Sequence, residues 1–346
     1  MGSPPNDIDA RTPDRLAMGG LVDAHGRVVR YLRISVTDRC DLRCRYCMAE
    51  TMTFLPRSEL LALEEIAIIA ERFIARGVTK IRLSGGEPLV RRDVGDLVAR
   101  LGRHVGRGLD ELTMTTNGTR LADHAQCLHA AGIRRVNVSL DSLDPALFRH
   151  ITRHGDLAQV LGGIFAARDA GLRVKINTVA LRGLNEHELP DILAWTVEHG
   201  FDLSLIETMP LGEVDEDRTD RFLPLTEVFA DLSARFALTR DAHRSGGPAR
   251  YWSVGDSGTR LGLISPLTAN FCDGCNRVRL TTDGKLYLCL GHDDQVDLKA
   301  ALRGGGIPAL DAAIDHGLRI KPAAHDFRID GATAPAVARH MSVTGG

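Results

Sequence analysis

Three closely spaced cysteines near the start of the chain carry its clearest chemical signal. Cys40, Cys44 and Cys47 follow the spacing C-x3-C-x2-C. Three thiolates so spaced can bind three corners of a cubane iron–sulfur cluster and leave the fourth iron without a protein ligand. An open iron can chelate a small molecule and pass it an electron, whereas a fourth cysteine would close the site. We therefore expect one-electron chemistry on a bound small molecule.

A second group of cysteines lies near the C-terminal end. Cys272, Cys275 and Cys289 have the spacing C-x2-C-x13-C, and His292 follows three residues after the last of them. A Cys3His zinc site fits this pattern, and so does an iron–sulfur cluster with an open iron. The iron–sulfur site already inferred in the same chain favours the second interpretation, but this segment alone leaves both open.

Two arginines follow the second cysteine group in the run Asn276-Arg277-Val278-Arg279. In an extended segment, Arg277 and Arg279 point to the same side. Two guanidiniums beside an open iron would bind a phosphorylated or otherwise anionic molecule, although a solvated strand face is the simpler alternative. The chain contains no G-x-x-x-x-G-K-[ST] loop, so Lys and Arg side chains must bind any phosphates.

The composition is that of an ordinary globular protein. The 346 residues are 44% hydrophobic and 25% charged, and this length allows one large α/β domain with a smaller one. The net charge of -2 attracts the chain to neither nucleic acid nor membrane, and we expect neither as a partner. The polar first 20 residues do not resemble a signal peptide.

The seven cysteines also indicate where the protein works. They are odd in number and mostly clustered, without a secretion signal, which favours metal ligation in a reducing cytoplasm over disulfides. Cys127 is isolated in a helical pattern, and we expect it to be a small buried hydrophobe.

Short apolar runs alternate with amphipathic segments from residue 31 to about residue 234. The predicted strands are Tyr31–Val36, Lys80–Ser84, Glu111–Thr115, Arg135–Leu140, Arg173–Val179 and Asp202–Ile206. The predicted helices are Leu63–Arg76, Val94–Gly102, Leu121–Ala131, Leu157–Ala170, Glu186–Glu198 and Leu225–Phe236. This alternation predicts a parallel sheet covered by helices. Six units are too few for a closed eight-stranded barrel, and a doubly wound open sheet remains an alternative.

The chemistry-bearing residues follow the predicted strands, at the edge where parallel α/β folds hold their active sites. The sequence turns polar and rich in Gly and Pro near residue 241. We divide the chain into a flexible arm (1–25), a barrel (26–240) and a smaller C-terminal α+β domain (241–346). In the last part we expect strands at Val278–Thr281 and Lys285–Leu290 and a helix at Pro308–His316.

These motifs together resemble a known family. The first trio, with Tyr46 before its third cysteine, resembles the radical S-adenosylmethionine (SAM) superfamily. Both trios, the Asn-Arg-Val-Arg run and the terminal Gly-Gly resemble the GTP 3′,8-cyclase family from Tyr31 to Gly346. The resemblance implies a partial (β/α)6 TIM-like barrel and two [4Fe-4S] clusters. It also implies conversion of GTP to (8S)-3′,8-cyclo-7,8-dihydroguanosine 5′-triphosphate, the first step of molybdenum cofactor biosynthesis.

The resemblance also assigns individual residues. Cys40, Cys44 and Cys47 would hold the SAM-binding cluster, and Cys272, Cys275 and Cys289 the substrate-binding cluster. Positions matching SAM contacts are Tyr46, Gly86, Ser139 and Met209. Positions assigned to GTP are Arg33, Arg82, Thr115, Lys175, Arg277, Val278 and Arg279. The tail residues Gly345 and Gly346 would reach into the active site, where Arg277 and Arg279 would also act in catalysis.

One position departs from the family pattern. Before the Met-Pro pair the family usually has Arg-Phe-Ile-Glu, whereas this chain has Ser204-Leu205-Ile206-Glu207. The phosphates would therefore lose one cationic partner unless another residue substitutes. Arg182 is the candidate that the sequence offers.

The expected partners follow from the same resemblance. They are GTP, SAM, an electron donor and the next enzyme of the pathway, with a homodimer left open. The nearest alternative is a radical SAM peptide or protein maturase with an auxiliary cluster. An alternative of another class is a non-enzymatic zinc or iron–sulfur protein, such as a regulator.

Overall fold

The computed structural model describes residues 20–212, 214, 218–327, 337 and 339–345, with only the backbone given for residues 218 and 219. Within these residues the strands form one twelve-stranded sheet. Its strands are β1 Tyr31–Ser35, β2 Lys80–Ser84, β3 Glu111–Thr116, β4 Arg135–Ser139, β5 Arg173–Ala180, β6 Asp202–Glu207, β7 Leu238–Asp241, β8 Arg250–Val254, β9 Arg260–Ile264, β10 Arg277–Leu280, β11 Lys285–Tyr287 and β12 Gln295–Asp297.

The helices cover the outer face of this sheet. They are α1 Leu63–Ala75, α2 Val94–Gly102, α3 Leu121–Ala130, α4 Pro145–Thr152, α5 Leu157–Asp169, α6 Leu189–His199, α7 Arg218–Arg221, α8 Leu225–Arg235, α9 Leu298–Ile320 and α10 Met341–Thr344. Buried apolar residues of α1 to α6, α8 and α9 join the outward residues of the strands in one hydrophobic core. The short helix α10 lies instead against Ser35 of β1. No described helix is long and apolar enough to span a bilayer.

The strand order confirms the partial barrel. Strands β1 to β6 are parallel and adjacent in chain order, whereas a doubly wound sheet would reverse direction after its first strands. β10 extends the sheet beside β1, and β9 extends it beside β6, both in parallel. β7 and β12 form the two ends of the strand order, so the described sheet is an open barrel.

Both predicted domain boundaries fall within continuous structure. Leu21 is buried in the main core, so ordered packing begins inside the arm that we assigned to residues 1–25. Residues 1–19 lie outside the described part. The sheet continues across residue 241 through β7, β8 and β9. Residues 241–346 therefore add strands to both edges of the barrel sheet.

The last long helix also differs from its prediction. We expected a helix at Pro308–His316, whereas α9 runs from Leu298 to Ile320 with a kink at Gly306 (φ 62°, ψ -151°). Pro308 lies just after the kink, where its ring does not interrupt a regular helical turn. The helix therefore has two arms, and the second arm contains the predicted segment.

Candidate active site

The inner face of the barrel is strongly cationic. Side chains alternate across a strand, so Leu32 and Ile34 pack in the core while Arg33 between them points into the barrel. The register places Arg33 beside Arg82 of β2 and Arg279 of β10. Neighbouring strands lie about 4.8 Å apart. Three guanidinium side chains on adjacent strands repel one another unless an anion binds between them.

These cations are buried without counter-charges. Arg33, Lys175 and Arg279 are 6%, 4% and 5% exposed, and none of the three forms a salt bridge with a carboxylate of the described residues. Burial lowers the pKa of Lys175 and of Arg279, and lowers that of Arg33 to about 9. Arg33 Nη2 and Arg82 Nε are buried, and neither has a hydrogen-bond partner among the described residues. The interior is therefore prepared for a polyanion.

Tyr31 lies among these cationic side chains. Its ring centroid is 5.3 Å from Lys80 Nζ, 5.6 Å from the Arg277 guanidinium and 6.0 Å from that of Arg82. Burial alone would raise the pKa of Tyr31, but Arg82 and its cationic neighbours outweigh burial and lower it to about 7. Lys80, which we did not predict, also pairs with Glu111 at 2.6 Å.

The position that departs from the family pattern has a tyrosine beside it. Ser204 is fully buried, and its Oγ finds no hydrogen-bond partner in the part of the chain that the structure describes. The Tyr251 hydroxyl accepts a 2.6 Å hydrogen bond from Lys175 Nζ. Arg182, our candidate substitute, is half-exposed and pairs with Glu227 at 2.7 Å, so the structure does not place it in the barrel.

The first cysteine trio follows the C-terminal end of β1. Cys40, Cys44 and Cys47 are partly buried, and none of them forms a disulfide with another described cysteine. Burial raises the pKa of Cys40 and of Cys44, and the charge of Cys47 raises both further. The three sulfurs thus share one environment that disfavours three unliganded thiolates, and metal binding would release their protons.

Two glycines hold the segment that leads into this trio. A Cβ on Gly86 would lie 2.3 Å from the Arg39 carbonyl oxygen, and one on Gly85 would lie 2.4 Å from that of Thr37. The Gly86 N–H donates to the Thr37 carbonyl at 2.8 Å. We expected Gly86 to allow a close approach of SAM, whereas the close approach in the structure is to the protein backbone. Its contact with SAM stays a prediction.

Polar side chains from other strands surround the first trio. The Tyr46 hydroxyl donates to Asp141 Oδ2 at 2.7 Å, and burial raises the pKa of Asp141 to about 6. Asn117 Nδ2 donates to Asp41 Oδ1 at 2.7 Å and lies 3.8 Å from Cys40 Sγ. The aromatic residue of the motif is thereby fixed to the end of β4.

The second trio is also gathered in one place. Burial raises the pKa of Cys272, and the charges of Cys289 and Cys275 add to the shift. The ring of His292 makes a 2.9 Å hydrogen bond with the Ala324 carbonyl, so one of its nitrogens is already engaged. Among the described residues, no three Cys, His, Asp or Glu side chains converge on the position of a single metal ion.

The two trios lie toward opposite ends of β1. Cys275 precedes Arg277, which pairs with Tyr31 at the start of β1. Cys40 follows Ser35, at the end of β1, by five residues. A five-residue strand spans roughly 17 Å. The cationic inner face therefore occupies the space between the trios.

The C-terminal tail enters the barrel. Arg279 Nη1 donates to the Gly345 carbonyl at 2.9 Å. A Cβ on Gly345 (φ +73°) would lie 2.1 Å from Ser84 Oγ and 3.3 Å from Arg33 Nε. A larger residue would clash with these inward side chains. Gly346 lies outside the described residues.

The other residues that we assigned to SAM or GTP contacts lie in different parts of the structure. Thr115 Oγ1 accepts a 3.3 Å hydrogen bond from Arg82, and Ser139 ends β4 on the inward face. Met209 lines a cavity with Cys275 and Cys289 of the second trio. The side chain of Val278 lies in the hydrophobic core, because alternation turns it away from the barrel. Only its backbone can therefore face a ligand there.

Sequence reasoning missed several residues of this site. Lys80 had a signal, because Lys-Ile-Arg on a strand places it on the same side as Arg82. Asp141 and Tyr251 had none, since their partners lie 95 and 76 residues away in the chain. Cys127, expected to be buried, is exposed and donates to the His124 carbonyl.

Comparison with known proteins shows the superfamily to which the chain is similar. The radical SAM superfamily model matches residues 34–196. Two solved structures share the fold: anSMEcpe with bound AdoMet (16% identity, TM-score 0.60, 84% of this chain and 82% of that one) and SuiB of Streptococcus suis bound to S-adenosylmethionine (15%, 0.59, 86% and 69%). The fold and the first cysteine trio define a protein of the radical SAM superfamily.

Closer relatives identify the family. The Molybdenum Cofactor Synthesis C model matches residues 201–327. The GTP 3′,8-cyclase of Erythrobacter litoralis (strain HTCC2594) is 60% identical over 96% of this chain and 100% of its own length. That of Rhizobium etli (strain CIAT 652) is 58% identical over 94% of each. The chain belongs to the GTP 3′,8-cyclase family.

Proposed function

We propose that this chain cyclises GTP to (8S)-3′,8-cyclo-7,8-dihydroguanosine 5′-triphosphate, the first step of molybdenum cofactor biosynthesis. One observation carries the proposal beyond the family relationship. Buried cations without carboxylate partners line a barrel that has a cysteine trio toward each end. A nucleoside triphosphate supplies the missing negative charge and can reach from one trio to the other.

The first trio would hold the SAM-binding [4Fe-4S] cluster. When bound, this cluster supplies the electron that splits SAM into methionine and a 5′-deoxyadenosyl radical. The chain holds and orients the SAM. Tyr46 is the aromatic contact, fixed by Asp141 at 2.7 Å. Gly86, Ser139 and Met209 would contact the rest of the molecule.

The cationic residues would bind and orient GTP. Arg33, Arg82, Lys175, Arg277 and Arg279 would neutralise the triphosphate, because buried anions require charge-assisted hydrogen bonds. Thr115 and the backbone at Val278 would add polar contacts. With the nucleotide held, a 5′-deoxyadenosyl radical would take the hydrogen atom from ribose C3′, and C3′ would bond to C8 while the C8–N7 double bond becomes single and leaves an unpaired electron on N7. A further electron and proton complete the product.

The second trio would hold a substrate-binding [4Fe-4S] cluster with an open iron for guanine. Its residues fit such a group, since Cys275 and Cys289 line one cavity beside the guanidiniums of Arg277 and Arg279, and the Cys272 thiol lies close enough for the charges of both cysteines to shift its pKa. Arg279 would complete the site together with the tail residues Gly345 and Gly346, which would keep water from the reacting ribose. A Cys3His zinc site is the alternative occupant, since a histidine that binds a metal commonly hydrogen-bonds a backbone carbonyl through its other ring nitrogen, as His292 does with Ala324.

Further partners follow from the chemistry. An external electron donor must reduce the first cluster, and an enzyme that consumes the unstable cyclic product must follow. We propose a reducing cytoplasm as the location, because none of the seven cysteines, all of which the structure describes, forms a disulfide. A homodimer remains part of the proposal without a structural argument of its own.

Two cysteine variants test the proposal. Cys44→Ala should abolish both 5′-deoxyadenosine formation and GTP consumption. Cys272→Ala should keep SAM cleavage, in reduced yield, but lose cyclisation. Cys127→Ala is the matched control, since this thiol is exposed and far along the chain from both trios. Cyclisation by Cys272→Ala would contradict the role of the second trio. SAM cleavage independent of GTP in the parent protein would favour a maturase.

A further inference from the structure

A lysine that no motif indicates lies directly against the second trio. Lys321 follows the C-terminal end of α9 and is only 2% exposed. Its Nζ donates to the Leu288 carbonyl at 2.8 Å and lies 3.5 Å from Cys275 Sγ. The same ammonium thus contacts a cysteine sulfur and the backbone just before Cys289.

The segment that carries this lysine, residues 321–327, is fastened over the trio. Arg27 Nη2 donates to the Pro322 carbonyl at 2.6 Å, and its Nη1 donates to the carbonyls of Ala323 (2.5 Å) and Cys272 (2.9 Å). Asp23 holds Arg27 Nε at 2.7 Å. Arg27 therefore connects residues 321–327 with the loop that contains Cys272, the first cysteine of the second trio.

The electrostatics make Lys321 more than a backbone support. A buried ammonium is costly unless it is paired with an anion, and no carboxylate of the described residues forms a salt bridge with it. The Cys275 sulfur is the anionic partner that the contacts offer. Donors to cluster sulfurs stabilise the added negative charge of the reduced state and orient the ligand.

We propose that Lys321 is a positioning residue for the second cluster, orienting the Cys275 sulfur and stabilising the negative charge of the bound cluster. The proposal rests on the second cluster assigned above. It predicts that the positive charge at this position raises the reduction potential of that cluster and slows the loss of its iron. A purely structural lysine would affect neither once the protein has folded.

The test uses the full-length chain with Cys40, Cys44 and Cys47 changed to Ala, so that only the second trio can bind iron. Three variants are compared in this background. Lys321→Met removes charge and donor, Lys321→Gln keeps a donor for the Leu288 carbonyl, and Lys321→Arg keeps the charge. Lys299→Met is the matched control, because Lys299 Nζ donates to the Glu59 carbonyl in an exposed position.

Iron loss to a chelator and an EPR-monitored redox titration give the readouts. We expect Lys321→Met and Lys321→Gln to lose iron about tenfold faster, as happens when other residues that hydrogen-bond a metal ligand are replaced, and to have more negative reduction potentials. Lys321→Arg should stay close to the parent in both the rate of iron loss and the reduction potential. Lys299→Met should match the parent in both. Unchanged iron loss and potential in Lys321→Gln would overturn the inference alone. A parent that binds no iron–sulfur cluster would overturn the second-cluster assignment together with it.

Discussion

Lys175 donates a 2.6 Å hydrogen bond to the hydroxyl of Tyr251 inside the barrel. Tyr251 also lies close to Gly262. A Cβ added to this glycine would lie 2.8 Å from Ser204 Oγ and 3.0 Å from the tyrosine ring. The tyrosine therefore occupies the neighbourhood in which the family's arginine is missing. It adds no charge there but fixes the position of a cation that is already present.

Removing this hydroxyl should weaken GTP binding. Tyr251→Phe keeps the ring but leaves Lys175 without its 2.6 Å partner. Since a hydrogen bond to a charged group contributes about 1.5–3 kcal/mol, we expect the KM for GTP to rise by roughly tenfold or more with kcat less affected. Steady-state kinetics of product formation measure the change. Ser253→Ala is the control, because its hydroxyl bonds to Asp241. An unchanged KM would contradict this role.

Loss of one buried guanidinium should have a larger effect. Arg82 contacts Thr115, and its buried Nε has no hydrogen-bond partner within the described ranges, so a phosphate group would meet an unsatisfied donor. We expect Arg82→Gln to weaken GTP binding by roughly 10- to 100-fold, in the range of a lost charge-assisted hydrogen bond. Equilibrium dialysis of GTP against the anaerobic holoenzyme measures this. Arg100→Gln, which breaks a surface pair with Glu71, should bind GTP normally, and equal affinities in both variants would refute the assignment.

Glu111 should make stability depend on pH. Burial alone would raise its pKa, but Arg135 and Lys80 outweigh burial and lower the pKa from 4.5 to about 2. Its contribution, up to roughly 3 kcal/mol, is complete above pH 4.5 and is lost as the pH falls from 4.5 to 2. Glu111→Gln should therefore destabilise the apo-protein strongly at pH 7 and much less near pH 3, as denaturant unfolding can measure.

The control for this pH effect is Glu227→Gln, which removes an exposed pair with Arg182. Exposed pairs contribute about 0–1 kcal/mol, so this variant should stay close to the parent at both pH values. A stability gap for Glu111→Gln that does not narrow in acid would contradict the ion-pair explanation.

The tail should be sensitive to a single methyl group. Gly345→Ala places a Cβ 2.1 Å from Ser84 Oγ, at a positive φ that alanine rarely adopts. We expect at least about a tenfold loss of cyclisation with SAM binding intact. Gly162→Ala is the matched control, since nothing lies within 4 Å of its Cβ position. Full activity of Gly345→Ala would mean that the tail does not order the site.

Strands β1 to β6 could be predicted from the sequence because the pattern of residues within each strand determines it. The runs of β1 to β6 carry core residues on one face and polar residues on the other. Their predicted bounds agree with the structure to within a residue or two. α4 (Pro145–Thr152) was missed, although Asp144 caps it by accepting from the Leu147 N–H, because the segment is short and adjoins α5.

The sequence could not predict contacts between residues that lie far apart in the chain. β9 pairs with β6 and β10 with β1, and no periodicity predicts which edge of a sheet a later strand joins. The contact of Lys321 with Cys275 and that of Tyr251 with Lys175 depend on this pairing. The motifs therefore predicted the cysteines and most of the cations, but not the side chains that position them.

The central claim is that a radical made from SAM acts on GTP held in this barrel. The most direct measurement is anaerobic: the protein is reconstituted with iron and sulfide, given SAM and a reductant, and 5′-deoxyadenosine is quantified with and without GTP. Our account predicts more 5′-deoxyadenosine with GTP, together with an equivalent amount of a GTP-derived cyclic product. Equal 5′-deoxyadenosine with and without GTP, and unchanged GTP, would contradict it.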